Sequence, residues 1–558
     1  MISLKNKLFS LLLLTGLVAG LTACDNDDEP DETPQPVLAV TAIAPASGPV
    51  GTKVTITGTK FDPTPANNTV LFNTTQATVT AATTTSLEVT VPAGATAGVI
   101  SVTVGGVTVK STTSFTISDR TTVEVKDEIK ANTTWTKDKL YLLKGFVYVT
   151  PGTTLTIEKG TIIKGAGKDA DPTASGKGGA LIVEAGAKLV AIGTAEEPIV
   201  FTSANDPGKR SYGDWGGIVL IGKAPNNRPG SQAFEGGIRG TIGTGTAADD
   251  NSGTLQYVRI EFGGIALSAT PNSEINGLTL YGVGSGTTID HVQVSYSGDD
   301  SYEWFGGTVN AKNLIAFRGY DDDFDTDWGF TGKVQYAVSL RDPEVADQSA
   351  SNGFESDNYA GTGEPATGPN NGLPLTEPTF ANVSHFVTDK TPSTSPTPKG
   401  TGPYQSAMHL RRNTAISILN SVFVGAPEGL RLDGSATGTW KNAQDGKLDL
   451  RGIVLSNNLT AIVGKGEITN DQATTYFNTA ARKNETKDVA SLLLNSATFN
   501  LAAPNFLPQA TSPLLAGATW EGKGADAFFT KELFRGAFGT TDWTKGWANW
   551  DPQNTIYK

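Results

Sequence analysis

Short runs in which every second residue is apolar, broken by glycine, asparagine and aspartate, fill the chain from Val40 onward. Val54 and Ile56, Val70 and Phe72, Leu87, Val89 and Val91, then Ile100, Val102 and Val104 each mark one such run. A period of two puts alternate side chains on one face of a strand, so these runs predict a small sandwich over residues 38–118. Beyond Arg120 the segments Leu155–Gly165, Leu181–Ser203 and Trp215–Gly222 read as strand, glycine-bearing turn and strand. Val292, Leu314 and Tyr336 then recur every 22 residues, and on that ruler Asp299 lies over Asp321, Asp300 over Asp322, Tyr302 over Phe324 and Glu303 over Asp325. A repeat of this length predicts one turn of a solenoid, with Val292, Leu314 and Tyr336 stacked on neighbouring coils. Phe354 follows Phe324 by 30 residues, one coil plus an inserted loop, and Met408 and Leu430 continue the column.

The same lines predict which side chains face inward. Tyr302, Phe324, Phe354, Met408 and Leu430 form one inward column, and Trp304, Thr326, Ser356, Leu410 and Leu432 another. Glu303, Asp325, Glu355, His409 and Arg431, then Phe305, Asp327, Asp357, Arg411 and Asp433, must point out, because side chains alternate along a strand. Long helical patterns are hard to find before the C-terminal quarter. The fold class is therefore all-β, a sandwich followed by a parallel solenoid over residues 119–558. Aromatic residues gather at the end as Trp520, Phe528, Phe529, Phe534, Phe538, Trp543, Trp547 and Trp550. They predict a cap, since a solenoid end exposes apolar cross-section and unpaired strand edges.

The first residues place Lys5 and Lys7 ahead of an apolar run from Leu8 to Leu21, too short to span a membrane. Residues 1–23 read as a signal peptide. Leu21-Thr22-Ala23-Cys24 resembles the bacterial lipobox, which implies lipidation of Cys24, the one cysteine in the chain. Residues 24–37 are acidic, proline-bearing and nearly free of apolar side chains, so they predict a solvated tether. The acidic start resembles the signal that sends lipoproteins of the Bacteroidetes to the outer face of the outer membrane. That resemblance implies an outer-membrane anchor with the rest of the chain outside.

Pro45-Ala46-Ser47-Gly48-Pro49, Ile56-Thr57-Gly58 with Phe61, Val91-Pro92 and Gly98 make residues 38–118 resemble the IPT/TIG immunoglobulin-like domain. Such a domain implies a spacer or interaction module. The strand and turn segments from Leu155 to Gly222 resemble the opening of right-handed parallel β-helix proteins. From Thr121 to Lys558, with GDDSYEWFGG at Gly298–Gly307 and DDDFDTDWGF at Asp321–Phe330, the chain resembles uncharacterised surface lipoproteins of the Bacteroidetes. No activity carries over from them.

A formal charge of −13 opposes phosphate attraction, so nucleic acid is excluded as a partner, while cations, sugars and proteins remain. Coils stacked about 4.8 Å apart would bring Glu303, Asp325 and Glu355 into like-charge contact. Three arrangements relieve this. A Ca²⁺ ion takes several oxygen ligands, and Asp299, Asp300, Asp321, Asp322 and Asp323 supply them, although the run is no EF-hand, since Thr326 and Gly332 stand where that loop needs glycine and glutamate. His409, Arg411 and Arg431 offer pairing further along. One acid kept protonated is what a glycoside hydrolase needs. Solvated turn aspartates would show the same run. Three histidines without metal-ligand spacing argue against zinc.

The function expected is binding of an extracellular glycan or protein on the outward face, through Glu303, Asp325, Asp327, Glu355, Asp357, His409, Arg411, Arg431 and Asp433, with Phe305 as an exposed stacking ring. A polysaccharide lyase or hydrolase using two of the carboxylates is the enzymatic alternative. A non-catalytic adhesin or transporter partner is the other. No catalytic motif transfers, so the reading leans away from an enzyme.

Overall fold

Alternation of exposed and buried residues along Lys53–Thr59 reproduces the period read from the sequence. The computed structural model describes residues 36–173, 176–228, 230, 232–266, 274–358 and 372–557; the signal peptide, Cys24 and all but the end of the acidic tether lie outside them. In the N-terminal unit, Lys53–Thr59 pairs antiparallel with Ala39–Ala44 and with Ser86–Thr90, while Gly98–Val104 pairs with Asn68–Phe72 and Val107–Ile117. Val54, Ile56, Val70, Phe72, Leu87, Val89, Ile100, Val102 and Phe115 are its buried core.

From Thr121 onward the strands stack in parallel as a right-handed β-helix, with a sheet of seventeen strands and another of eleven. Its interior follows the expected columns: Tyr302 pairs with Phe324, Phe324 with Phe354, Phe354 with Met408 and Met408 with Leu430. The Phe324 ring lies 5.7 Å from Tyr302 and 5.2 Å from Phe354, so each ring buries its neighbour's face. Polar residues in the second column satisfy one another, Thr326 and Ser356 through hydroxyls 2.8 Å apart.

One expected stack is corrected. Val292 pairs with Leu314, but Leu314 pairs with Ala337, because the turn after Asp327 holds one more residue than the turn after Phe305. Tyr336 instead sits over Asn313, and both are left-handed. Tyr257, His291, Asn313, Tyr336, Asn382, Asn420 and Gly452 all have φ between 50° and 65°. Each interrupts a strand between two paired stretches, as His291 does between Asp290 and Val292. A single left-handed residue bends the strand around a corner of the coil, at a cost of roughly 1–2 kcal/mol for an ordinary side chain and least for asparagine. Asparagine accordingly fills three of the seven corners and glycine one.

The aromatic tail is the second correction, because it does not lie across the end of the solenoid. It runs back along the corner column as a strap. Asn420 donates to the Thr519 carbonyl at 3.0 Å, Asn382 to that of Phe534 at 3.1 Å, and Tyr557 to Glu261 at 2.7 Å. Trp550 packs edge-on against Phe317, and Phe538 stacks on Phe506. The bent corners leave apolar side chains and backbone groups unpaired along the flank, and the strap covers them. At the solenoid end the last strand of the eleven-stranded sheet, Thr460–Gly466, meets the helix Asn470–Phe477, which buries Ala473 and Phe477.

Candidate functional site

The outer face of the eleven-stranded sheet is not open along its length. On its early coils Phe146, Tyr148, Ile182, Val219 and Ile221 point outward and are covered by Phe234, Ile238 and Ile242 from a long excursion between strands. Phe305 belongs to this cluster, stacked 4.5 Å from Tyr281 and packed on Trp328, so the expectation of an exposed ring is corrected. An aromatic residue on the outside of a solenoid is buried wherever an inserted segment folds back over it.

Beyond this cover the face becomes acidic and then mixed. Glu303, Asp325, Glu355, His409 and Arg431 lie on successive strands in one column, as read from the sequence, and Thr279 precedes them in it. Just ahead of the strands, the turns bring Asp299, Asp300, Asp321 and Asp322 alongside. Carboxylate oxygens of Asp299, Asp300 and Asp321 lie within 4.8 Å of one another, as do those of Asp300, Glu303 and Asp325, and those of Asp322, Asp325 and Glu355. Backbone and neutral side chains hold them in place. Asp300 accepts from the Asp322 amide at 2.8 Å, Asp322 from the Asn352 amide, Asp321 from Ser349 at 2.7 Å, and Glu303 from the Asn276 carboxamide.

Among the described residues no lysine, arginine or histidine pairs with Asp299, Asp300, Glu303, Asp321, Asp322 or Asp325. Burial, followed by the charge of the neighbouring acids, pushes Asp299, Asp300, Glu303, Asp322 and Asp325 well above the usual carboxylate range. Asp321 is pushed up to about 7 by burial, against the Ser349 hydrogen bond. Asp325 Oδ1 and Asn276 Oδ1 are buried with no hydrogen-bond partner. Oxygens without donors, ringed by further oxygens, are the donor set a hard cation takes.

One coil on, the chemistry reverses. Arg411 bridges Glu355 and Asp357, with Nε 2.8 Å from Asp357 Oδ1, and Arg412 also reaches Asp357. His409 lies between Glu355 at 3.6 Å and Asp433 at 3.4 Å. Burial would raise the Glu355 carboxyl, but the His409 hydrogen bond and the Arg411 charge outweigh it and hold Glu355 below the ordinary range. Asp327, beside Arg228 at 3.6 Å, is pushed by burial to about 8. The ladder thus joins an uncompensated acidic half to a compensated one.

Two expected members do not belong. Asp323 is fully buried inside the solenoid, 2.9 Å from Arg341 Nη1 and 3.2 Å from His385 Nδ1, so it is no ligand of an outer cation. It stands in the turn before Phe324, where strand alternation does not govern direction. Arg431 forks onto Glu428 at 2.7 and 2.8 Å and leaves the acids to Arg411. The sequence reading missed Asn276, Arg228 and Glu235, the last pushed to about 7 by burial and Glu274. Arg228 and Glu235 come from an inserted segment outside the coil repeat, which carries no signal for them, whereas Asn276 holds the turn position of Asp300 and Asp322 one coil earlier, where the acidic pattern has not yet begun.

An all-parallel solenoid with a charged ladder on one outer face defines a parallel β-helix protein. The chain belongs to the family described as pectate-lyase like beta helix domain, which matches residues 127–548, and residues 38–118 are an IPT/TIG domain. No curated protein matches. Among solved structures, an auxiliary nutrient binding protein from Bacteroides thetaiotaomicron is similar at 22% identity over 15% of this chain and 21% of that one, with a TM-score of 0.14. One from Bacteroides ovatus is similar at 22% identity over 15% and 22%, with a TM-score of 0.14. The chain spans about a fifth of the length of these structures.

Proposed function

We propose that this protein is a lipid-anchored surface receptor that binds an extracellular glycan on the acidic ladder, with a Ca²⁺ ion held by Asp300, Glu303 and Asp325 together with Asp299 and Asp321. The observation that carries the reading is the acidic half itself: buried and half-buried carboxylates within 4.8 Å of one another, without a cationic partner among the described residues. Like charges so placed require a cation or protons. A Ca²⁺ ion takes six to eight oxygens and leaves positions for ligand hydroxyls, while Arg411, held by Glu355 and Asp357, remains partly exposed beside it. Membership of a pectate-lyase like family supports a carbohydrate ligand.

The test is a polysaccharide panel presented to the Cys24→Ala protein with Ca²⁺ or with chelator. Binding is expected for at least one polymer, weakened at least tenfold by chelator and by Asp325→Asn, the worth of about 1.4 kcal/mol. Binding indifferent to both removes the cation reading, and no response to any polymer favours a protein partner instead. New reducing ends or unsaturated products abolished by Asp325→Asn would make the chain an enzyme.

The anchor is tested separately. With Cys24 as the lipidated residue, Cys24→Ala is expected to move the protein from the membrane fraction to the soluble fraction. Retention in the membrane would require another anchor.

A further inference from the structure

We propose that the flank of the solenoid carries a second binding site, sized for a single sugar ring, in a cavity between the corner column and the C-terminal strap at Asn313. It does not depend on the acidic ladder, which lies on the other sheet. Of the six left-handed corner residues that carry a side chain, five have it engaged. Tyr257 stacks 4.4 Å from His291, whose Nδ1 lies 2.9 Å from Asp290. Tyr336 donates to Glu532 at 2.7 Å, and Asn382 and Asn420 each donate to a backbone carbonyl. Asn313 is the exception, its carboxamide without a partner among the described residues.

The strap's path explains the opening. Gln335 exchanges two hydrogen bonds with Thr530, and Gln293 two with Asn549, each at 2.8 Å. These clamps are two coils apart, about 10 Å, yet the chain between them runs from residue 530 to 549. The excess doubles back along the column, where Asn382 donates to the Phe534 carbonyl and the Gly536 amide to the Asn420 carbonyl, and then returns past Asn313. It leaves a cavity of about 250 Å³ lined by Asn313, Tyr336, Glu532, Thr540, Thr541 and Trp543.

The lining selects the ligand class. The volume falls below the about 300–1,000 Å³ of sites for drug-sized molecules, so one ring fits and a chain does not. Glu532, with no lysine or arginine in the lining, disfavours an anion. A metal ion would find one carboxylate only, and an apolar guest would leave the amide and carboxylate unsatisfied. A neutral polyhydroxylated ring meets all of them: the Asn313 amide donates and accepts, the second Glu532 oxygen accepts, the threonine hydroxyls do both, and the Trp543 edge covers the apolar face.

The experiment is saturation-transfer NMR on the full chain with the methyl glycosides of glucose, galactose, mannose and N-acetylglucosamine. Transfer to at least one is expected. Asn313→Gly removes the amide while keeping the left-handed corner accessible, and is expected to weaken that binding at least tenfold. Thr541→Val, at an exposed position, is expected to weaken it about threefold to tenfold, the worth of one hydrogen bond. Asp325→Asn, which disables the ladder, is expected to leave it unchanged. No transfer to any of the four glycosides, binding indifferent to Asn313→Gly, or loss in Asp325→Asn overturns the proposal.

Discussion

Millimolar Ca²⁺ added to chelator-treated protein at pH 8 is expected to raise the thermal midpoint by about 3 °C, and to raise it much less at pH 5. The size follows from about 2.7 kcal/mol at a hundredfold excess over Kd, divided by an unfolding entropy of about 2.1 cal/mol/K per residue over a solenoid of some four hundred residues. The pH dependence follows from the ladder. Asp321 and Asp327 titrate at about 7 and about 8 in the folded chain, and Asp299, Asp300, Glu303, Asp322 and Asp325 are raised too. Unfolded, the same groups titrate near 4. Between these limits the folded state binds more protons than the unfolded one. Their stability contribution is therefore full below about pH 4 and is lost as pH rises through about 7 to 8. Without a cation the midpoint should fall over that window. Calcium binds only carboxylates whose protons have left, so its effect grows in the same direction. Differential scanning fluorimetry across pH 5 to 8, with and without chelator, measures both. Equal shifts at the two ends, or none, would remove the cation from the ladder.

The columns of the solenoid were legible because parallel stacking places equivalent positions directly over one another, so a repeat in sequence becomes a line in space. Tyr302, Phe324 and Phe354 could be aligned without knowing anything of the turns, and Glu303, Asp325 and Glu355 followed by alternation. The reading failed where a residue leaves the strand. Tyr336 slipped by one because a single extra turn residue shifts every later position. Asp323 belongs to a run of aspartates that looks uniform, yet lies one residue before the strand and turns inward. Phe305 obeyed the alternation and still was not exposed, since its cover comes from a segment with no place in the repeat. The strap was legible as aromatic chain in need of a surface. Its address was not, because the corner column it follows is made by backbone φ, and tyrosine, histidine and asparagine share that conformation without sharing a side-chain pattern.

Asp323→Ala is expected to destabilise the solenoid by about 3–5 kcal/mol, the cost of stranding one member of a buried ion pair. Arg341 and Asp323 are both fully buried, with Nη1 2.9 Å from Oδ1. Burial would favour loss of the Arg341 proton, but Asp323 and Tyr404 outweigh it and hold the guanidinium charged. The same guanidinium donates to the backbone carbonyl of Asp321 and lies over the Tyr404 ring, while His385 sits between Asp323 and the Ser339 hydroxyl, 2.6 Å from the latter. This network grips, from inside, the turn that presents Asp321 and Asp322 outside. Asp323→Leu combined with Arg341→Met removes both charges together and is expected to recover most of the loss, because replacing a buried pair by apolar groups is often neutral or stabilising. Urea unfolding followed by tryptophan fluorescence compares the three proteins. A loss below about 1 kcal/mol in Asp323→Ala, or a double variant no better than the single one, would show that the pair is not what holds this turn. If it does hold the turn, Asp323→Ala should also shrink the midpoint shift produced by Ca²⁺ at pH 8, since the outer carboxylates would lose the backbone anchor that sets their spacing.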